Sequence, residues 1–438
     1  EMGIKKMSIE GGNLKSIFRN ESKDIFVAVA ALFSVNFVAS VVGAAISVIQ
    51  ALFVTAEELG FFKQFAIISN YAFFLHLGTF HAIERLYPFY MGKGDILTAQ
   101  KYVQAGNFWI QFVCIALTIV YLALGIYSIV LYDFKSACCW FVQIVISWTT
   151  MYGGYLSATF RSGKEFKLMA KAGIWNPLLQ ICIIPIYWIQ PFFAMVARNC
   201  TSIVTTIRLH INRPIREKPV YNMKDIIYLI KEGLPLFSAS YVSSTGLDAV
   251  RGTLVLFFLS KSDWGYWSFA YTIILLVLQL PTSINAVYQP RIISEYAKSG
   301  SIDKALKTAQ KPILFGGIVM LIFVPISIVF TKILIPILLP NYIGAINLLV
   351  VLLCAVIFKL SDVFVSILNA AHKIIPLNII SIVCTIVQIG MSILFVFGGF
   401  GIVAFGLGFL VGYICRTLFL YTYILRLKRE CVVLNYNN

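Results

Sequence analysis

The chain has 438 residues, of which 59% are hydrophobic and only 12% charged, with a formal net charge of +16. Soluble domains carry roughly 25% charged residues, so no water-exposed fold accounts for this composition, and the bilayer is the solvent for most of the chain. The basic excess does not point to nucleic acid, because Lys and Arg fall in short connections between apolar runs, where they set membrane orientation.

In chain order, a basic stretch (Lys5, Lys6, Lys15, Arg19, Lys23) precedes an apolar run too long for the core of a cleaved signal. Runs long enough to cross a bilayer as helices, roughly 20 apolar residues each, are predicted at 25–53, 63–90, 103–131, 137–160, 168–189 and 191–211. Six more follow at 234–259, 264–288, 312–331, 343–370, 374–397 and 401–425. Gln190-Pro191 and the glycine-rich 398–401 mark very tight turns. With the N-terminus inside, 27 of the 35 Lys and Arg fall in inside segments. Outside segments hold Lys63, Lys135, Lys261 and Lys332. The bias predicts twelve spans with both termini cytoplasmic.

The halves resemble each other. Glu58-Leu59-Gly60-Phe61 after the first span matches Asp263-Trp264-Gly265-Tyr266 after the seventh, 205 residues on. Thr98-Ala99-Gln100-Lys101 recurs as Thr308-Ala309-Gln310-Lys311, 210 residues on, as if the connection before it had grown by five. An even number of spans per half gives a parallel repeat about an axis along the membrane normal. The expected organisation is a six-helix bundle over 1–211, a cytoplasmic linker over 212–232 and a second bundle over 233–438. Two such bundles leave a cleft that rocking opens to alternate sides.

A mid-membrane charge costs roughly 2.5–3.5 kcal/mol and persists where it faces protein or water. The candidates are Arg198, Asp248, Arg251, Lys359, Asp362 and Arg416, with Glu84 and Arg85 toward the inner end of the second span. Asp248/Arg251 and Lys359/Asp362 are spaced i, i+3 and can meet on one helix face. Either they glue helices together or they serve function. Arg198 and Arg416 have no acid within one turn of their own helix, which favours a water-filled cavity; the other reading of Arg416 is a partner on a different helix. The excess of bases attracts anions, and the planar guanidinium suits phosphate. Pro177, Pro185, Pro235, Pro281 and Pro325 mark possible kinks. There is no Walker motif, HExxH, GxSxG or metal-binding cluster, and the outer connections are short, so neither an enzyme nor a cofactor is expected.

The chain resembles the polysaccharide flippases, translocases of O-antigen and capsule repeat units within the superfamily that also holds the multidrug and toxin extruders and the lipid II flippases. The resemblance rests on the span pattern and on four motifs. These are Glu57-Glu58-Leu59-Gly60-Phe61, Arg161-Ser162-Gly163-Lys164-Glu165-Phe166, Glu232-Gly233-Leu234-Pro235-Leu236 and the Pro290-Arg291 to Gly300 loop. It implies a V-shaped, alternating-access, all-α protein of a bacterial inner membrane, acting in lipopolysaccharide or other surface polysaccharide assembly. Its cargo would be an undecaprenyl-diphosphate-linked oligosaccharide, and its partners a polysaccharide polymerase and chain-length proteins. Arg198, Arg251, Lys359 and Arg416 would receive pyrophosphate or acidic sugars, and Asp248 and Asp362 would hold those bases or carry a coupling ion. A multidrug antiporter of the same fold is the alternative, and a membrane glycosyltransferase a more distant one. Extruders of that branch usually keep an acid in the first span, and Ile25 to Phe53 has none. Lipid II flippases typically have two further spans.

Overall fold

In lipid every backbone N–H and C=O must be satisfied within the protein, so apolar runs become helices whose bonds close inside each segment. A computed structural model describes residues 37–436 other than residue 372. The helices are α1 (Phe37–Phe53), α2 (Ala56–Gly92), α3 (Ile96–Val130), α4 (134–162), α5 (Phe166–Ile189) and α6 (191–211), then α7 (223–258), α8 (261–299), α9 (Ile302–Leu338), α10 (Pro340–Ala370), α11 (Ile374–Phe397) and α12 (Val403–Tyr436). The chain is therefore an all-α membrane protein, with twelve helices among the described residues in two repeats of six. Eight helices among the described residues are long and apolar enough to span a bilayer. The part of the first predicted span before residue 37 lies outside the described residues. α4, α6 and α7 are broken by a π-helical turn at Trp148–Tyr152, at Thr201 and at Ser244.

The repeated motifs have a common structural cause. Thr55 caps α2: its hydroxyl accepts from Glu58 N, while the Glu58 carboxylate accepts from Thr55 N. Ser260 and Asp263 form the same capping box at the start of α8. Each box satisfies two of the donors that a helix start leaves open. Gly60 and Gly265 each follow five residues after a cap, and the two helices cross there. A Cβ on Gly60 would lie 1.7 Å from the Lys261 carbonyl oxygen, and one on Gly265 1.8 Å from the Ala56 carbonyl oxygen. Only glycine allows this approach, and the contact is reciprocal, as a two-fold relation requires.

The Thr-Ala-Gln-Lys offset corrects one expectation. The connection before it has not grown: residues 93–95 join α2 to α3, and only 300–301 join α8 to α9. The repeat begins at the third residue of α3 but at the seventh of α9, so the extra length is helical, mostly one added turn at the start of α9.

The core shows where the halves join. One buried cluster runs through both at the end where α2 and α8 begin, bringing Val54, Phe62 and Phe65 together with Trp264, Phe269 and Tyr342. The Tyr342 hydroxyl donates to the Val54 carbonyl at 3.1 Å. Toward the other end, one cluster belongs to the first half plus the first turns of α7, and another to the second half. α2 also touches α7 directly. Gly78, left-handed at φ 78°, lies against Gly233 so closely that a Cβ would sit 2.3 Å from the Gly233 carbonyl oxygen. The broken turn of α2 at Phe73–His76 precedes this contact, and buried His76 packs between Phe80 and Phe237. Of the prolines read as kinks, Pro185 sits at a break in α5, whereas Pro235 and Pro325 lie inside continuous helix.

Candidate functional site

Interrupted helices at membrane depth are tolerated where they line a cavity, and the breaks in α7 and α10 do so. A chamber of about 290 Å³ in the second half is lined from α7, α8, α10, α11 and α12. The break at Ser244 restarts α7, placing Asp248 in the first turn of the new segment, where a helix start favours an acid. A 3₁₀ stretch at Ile357–Ser361 turns Lys359 inward and starts the next segment at Asp362.

Asp248 Oδ1 accepts from Arg251 Nη1 at 2.5 Å. Only 3% of the Arg251 side chain is exposed, against 30% of Asp248. The guanidinium lies 4.3 Å from the Trp267 ring centroid, with Tyr271 and Phe409 beyond. Asp362 bridges two cations: Lys359 Nζ at 2.8 Å and Arg416 Nη1 at 3.0 Å. Arg416 Nε is buried with no hydrogen-bond partner among the described residues. Three cations and Asp248 therefore line this chamber, with Asp362 beside it, which leaves a positive remainder.

Arg198 lies elsewhere. It reaches from α6 to α1, donating to Gln50 Oε1 at 2.7 Å, to the Gly43 carbonyl at 2.9 Å and to Ser47 Oγ at 2.9 Å. Tyr187 adds a hydroxyl hydrogen bond to Gln50 Oε1 at 3.0 Å. These neutral acceptors solvate the guanidinium without cancelling its charge. Arg198 lines a chamber of about 220 Å³ between the halves, just below the Gly60–Gly265 crossing, with walls from α1, α2, α5, α6 and α8. Lys63 lines the same chamber. Neither cation has a carboxylate partner among the described residues. Both also border a more open cavity of about 520 Å³ within the first half, where the other polar groups are hydroxyls and carboxamides such as Thr150, Asn176, Asn199 and Ser202.

The structure thus gathers Asp248, Arg251, Lys359 and Arg416 in one chamber with Asp362 beside them, and puts Arg198 in another. Lys63, an outer-loop charge by the sequence pattern, sits two turns inside α2. The capping box at Thr55 was the signal that fixes this, because it starts the helix at Ala56. Glu84 and Arg85 belong to neither chamber. Toward the end of α2 remote from the crossing, Glu84 is ion-paired with Arg161 on α4, and Arg85 meets Glu232 on α7 at 3.4 Å.

No family model matches the sequence, and no curated protein does. Solved structures do match in fold. An inward-facing MATE family multidrug resistance transporter of the MOP superfamily is 13% identical, with a TM-score of 0.69 over 89% of this chain and 96% of that one. The lipid II flippase MurJ, in an inward closed conformation, is 15% identical, with a TM-score of 0.67 over 92% and 91%. A MOP superfamily transporter from Pyrococcus furiosus, described by the reverse polarity of its binding pocket, is 16% identical, with a TM-score of 0.55 over 92% and 96%. The chain has the same fold as these transporters.

Proposed function

We propose that the chain is a flippase that carries an undecaprenyl-diphosphate-linked oligosaccharide repeat unit from the cytoplasmic to the outer leaflet of a bacterial inner membrane. The observation that carries this reading is the pair Lys63 and Arg198, two cations lining the chamber between the halves with no carboxylate partner among the described residues. A pyrophosphate offers oxygen acceptors to both, and a guanidinium can hold two oxygens at once. Neighbouring hydroxyls and carboxamides suit sugar hydroxyls, and Arg251, Lys359 and Arg416 add positive potential from the second half. In this reading the loop-charge bias makes the Gly60–Gly265 crossing the outer end and puts both termini in the cytoplasm. The bundles over 1–211 and 233–438 rock about that end through the 212–232 linker. Asp248 and Asp362 hold the cations in place.

One observation favours a second reading, a multidrug antiporter. Asp248 remains 30% exposed in a chamber walled by Tyr271, Phe409 and Tyr413, chemistry that suits an amphipathic cation. Binding to the purified full chain separates the two. A polyprenyl-diphosphate oligosaccharide is expected to bind, and Lys63→Ala and Arg198→Ala each to weaken it about 10- to 100-fold, as loss of a charge-assisted hydrogen bond implies. Binding of an amphipathic cation but not of the lipid, unaffected by either substitution, would establish the antiporter instead.

A further inference from the structure

The second-half chamber keeps one charge too many. Its walls come from α7, α8, α10, α11 and α12, and among the described residues none from the first half lines it. Arg251, Lys359 and Arg416 meet two carboxylates, Asp248 and Asp362, so one positive charge is left without a counter-charge. α11, which forms the wall opposite Arg416, carries no charged residue. Arg251 is closed off by its own acid and by the Trp267 ring. The excess therefore sits at Asp362, where a single carboxylate serves both Lys359 and Arg416. Those two cations are 20% and 22% exposed, so an ion from water can reach them.

Hydrogen-bond donors are in excess at the same place. Gln388 on α11 lines the chamber and is 6% exposed, and its Nε2, like Arg416 Nε, is buried with no partner among the described residues. The nearby hydroxyls of Ser381 and Thr385 donate to carbonyls of their own helix, at 2.9 and 3.0 Å, so the Gln388 amide is the N–H group that α11 brings to the chamber. The two donors lie about one helical turn apart: a Cβ on Gly412 would be 3.2 Å from Gln388 Oε1, and Arg416 follows Gly412 by one turn of α12. Unpaired donors and an unneutralised cation at membrane depth are costly, and an anion relieves both. We propose that this chamber holds one small monovalent inorganic anion, of the chloride class, between Lys359, Arg416 and Gln388. One negative charge cancels the remainder, whereas a divalent ion would overshoot it and face Asp248 and Asp362. Because one half supplies the walls, the ion can stay bound while the halves rock. The site is separate from the Lys63–Arg198 chamber that carries the flippase reading.

Chloride NMR linewidths of the purified full chain in detergent micelles, with bromide as competitor, test this. The wild type is expected to broaden the chloride line, and bromide to remove that broadening. Arg416→Gln and Lys359→Gln each abolish the excess charge, and should each cut the bromide-sensitive broadening about tenfold or more, as loss of a charge-assisted contact implies. Gln388→Leu should reduce it with every charge kept, and stands in for either cation variant that fails to fold. Asp362→Asn should act the other way. It raises the excess to two charges, so bromide should displace chloride at about tenfold lower concentration, and added chloride should restore part of its thermal stability. A merely structural role for Asp362 would not give that opposite sign. Broadening that bromide does not remove, or that is equal in all variants, would mean an adventitious ion only and overturn the proposal. Weaker binding in Asp362→Asn would overturn it too. Broadening lost in Lys63→Ala/Arg198→Ala but kept in Arg416→Gln would put the ion between the halves and remove the second-half site. The flippase reading fails on a different measurement, lipid binding that ignores Lys63 and Arg198.

Discussion

Substituting alanine at Gly265 should open the molecule at the end where α2 and α8 cross. The new Cβ would lie 1.8 Å from the Ala56 carbonyl oxygen, and real Cβ atoms essentially never come within 3.0 Å of a neighbour, so the helices must part by about 1.2 Å. Backbone atoms form both sides of the contact, and no rotamer relieves it. Overpacking of this kind costs roughly 1–3 kcal/mol, and a conformation in which the helices have separated escapes the cost. The equilibrium should therefore move roughly 5- to 150-fold toward the state open at this end. Gly60→Ala should act alike, and the double variant should fall short of the product, because both glycines serve one crossing. The readout is a cysteine placed at Ser268, on the chamber wall directly below, with the native cysteines replaced. Labelling by a membrane-impermeant maleimide added from outside should accelerate in Gly265→Ala relative to the parent. Unchanged labelling in a protein of normal abundance would show that the crossing does not close the chamber.

Three further outcomes follow from the charge arrangement. Asp362→Asn leaves Lys359 and Arg416 facing one another with no counter-charge, and should destabilise the purified protein by about 2–3 kcal/mol, less than for a fully buried pair because both cations reach water; adding Lys359→Gln should restore part of the loss in a thermal unfolding assay. Arg251→Lys keeps the charge but loses the planar stack on Trp267, and should lower the melting temperature by an amount equivalent to about 1 kcal/mol, with Trp267→Leu lowering it no further in that background. At the far end, Lys428 at 2.6 Å and Lys307 at 3.4 Å hold the Asp303 carboxyl below its ordinary pKa, Lys428 being the larger influence. Because the folded-state value is lowered, this contribution is complete above about pH 5 and lost as pH falls through the lowered value, so amide exchange at the end of α12 should quicken there, and at neutral pH in Asp303→Asn.

The sequence by itself determined the number, order and approximate bounds of the helices. In lipid that information is local: each span must close its own backbone hydrogen bonds, so apolar run lengths and charged breaks are enough. It also carried the repeat, because the Thr55 and Ser260 capping boxes and the glycines after them meet the same requirement twice, and it singled out the interior charges by their cost. Only the tertiary structure decided what each charge meets. Spacing along one helix brought Arg251 to Asp248 and Lys359 to Asp362, but Arg416 reaches Asp362 from another helix, and Arg198 is solvated by α1, more than 140 residues earlier in the chain. Helix rotation and lobe packing set those distances. The same packing turned Lys63 from an apparent loop charge into a chamber wall, and placed two glycines 205 residues apart in sequence against each other's backbone.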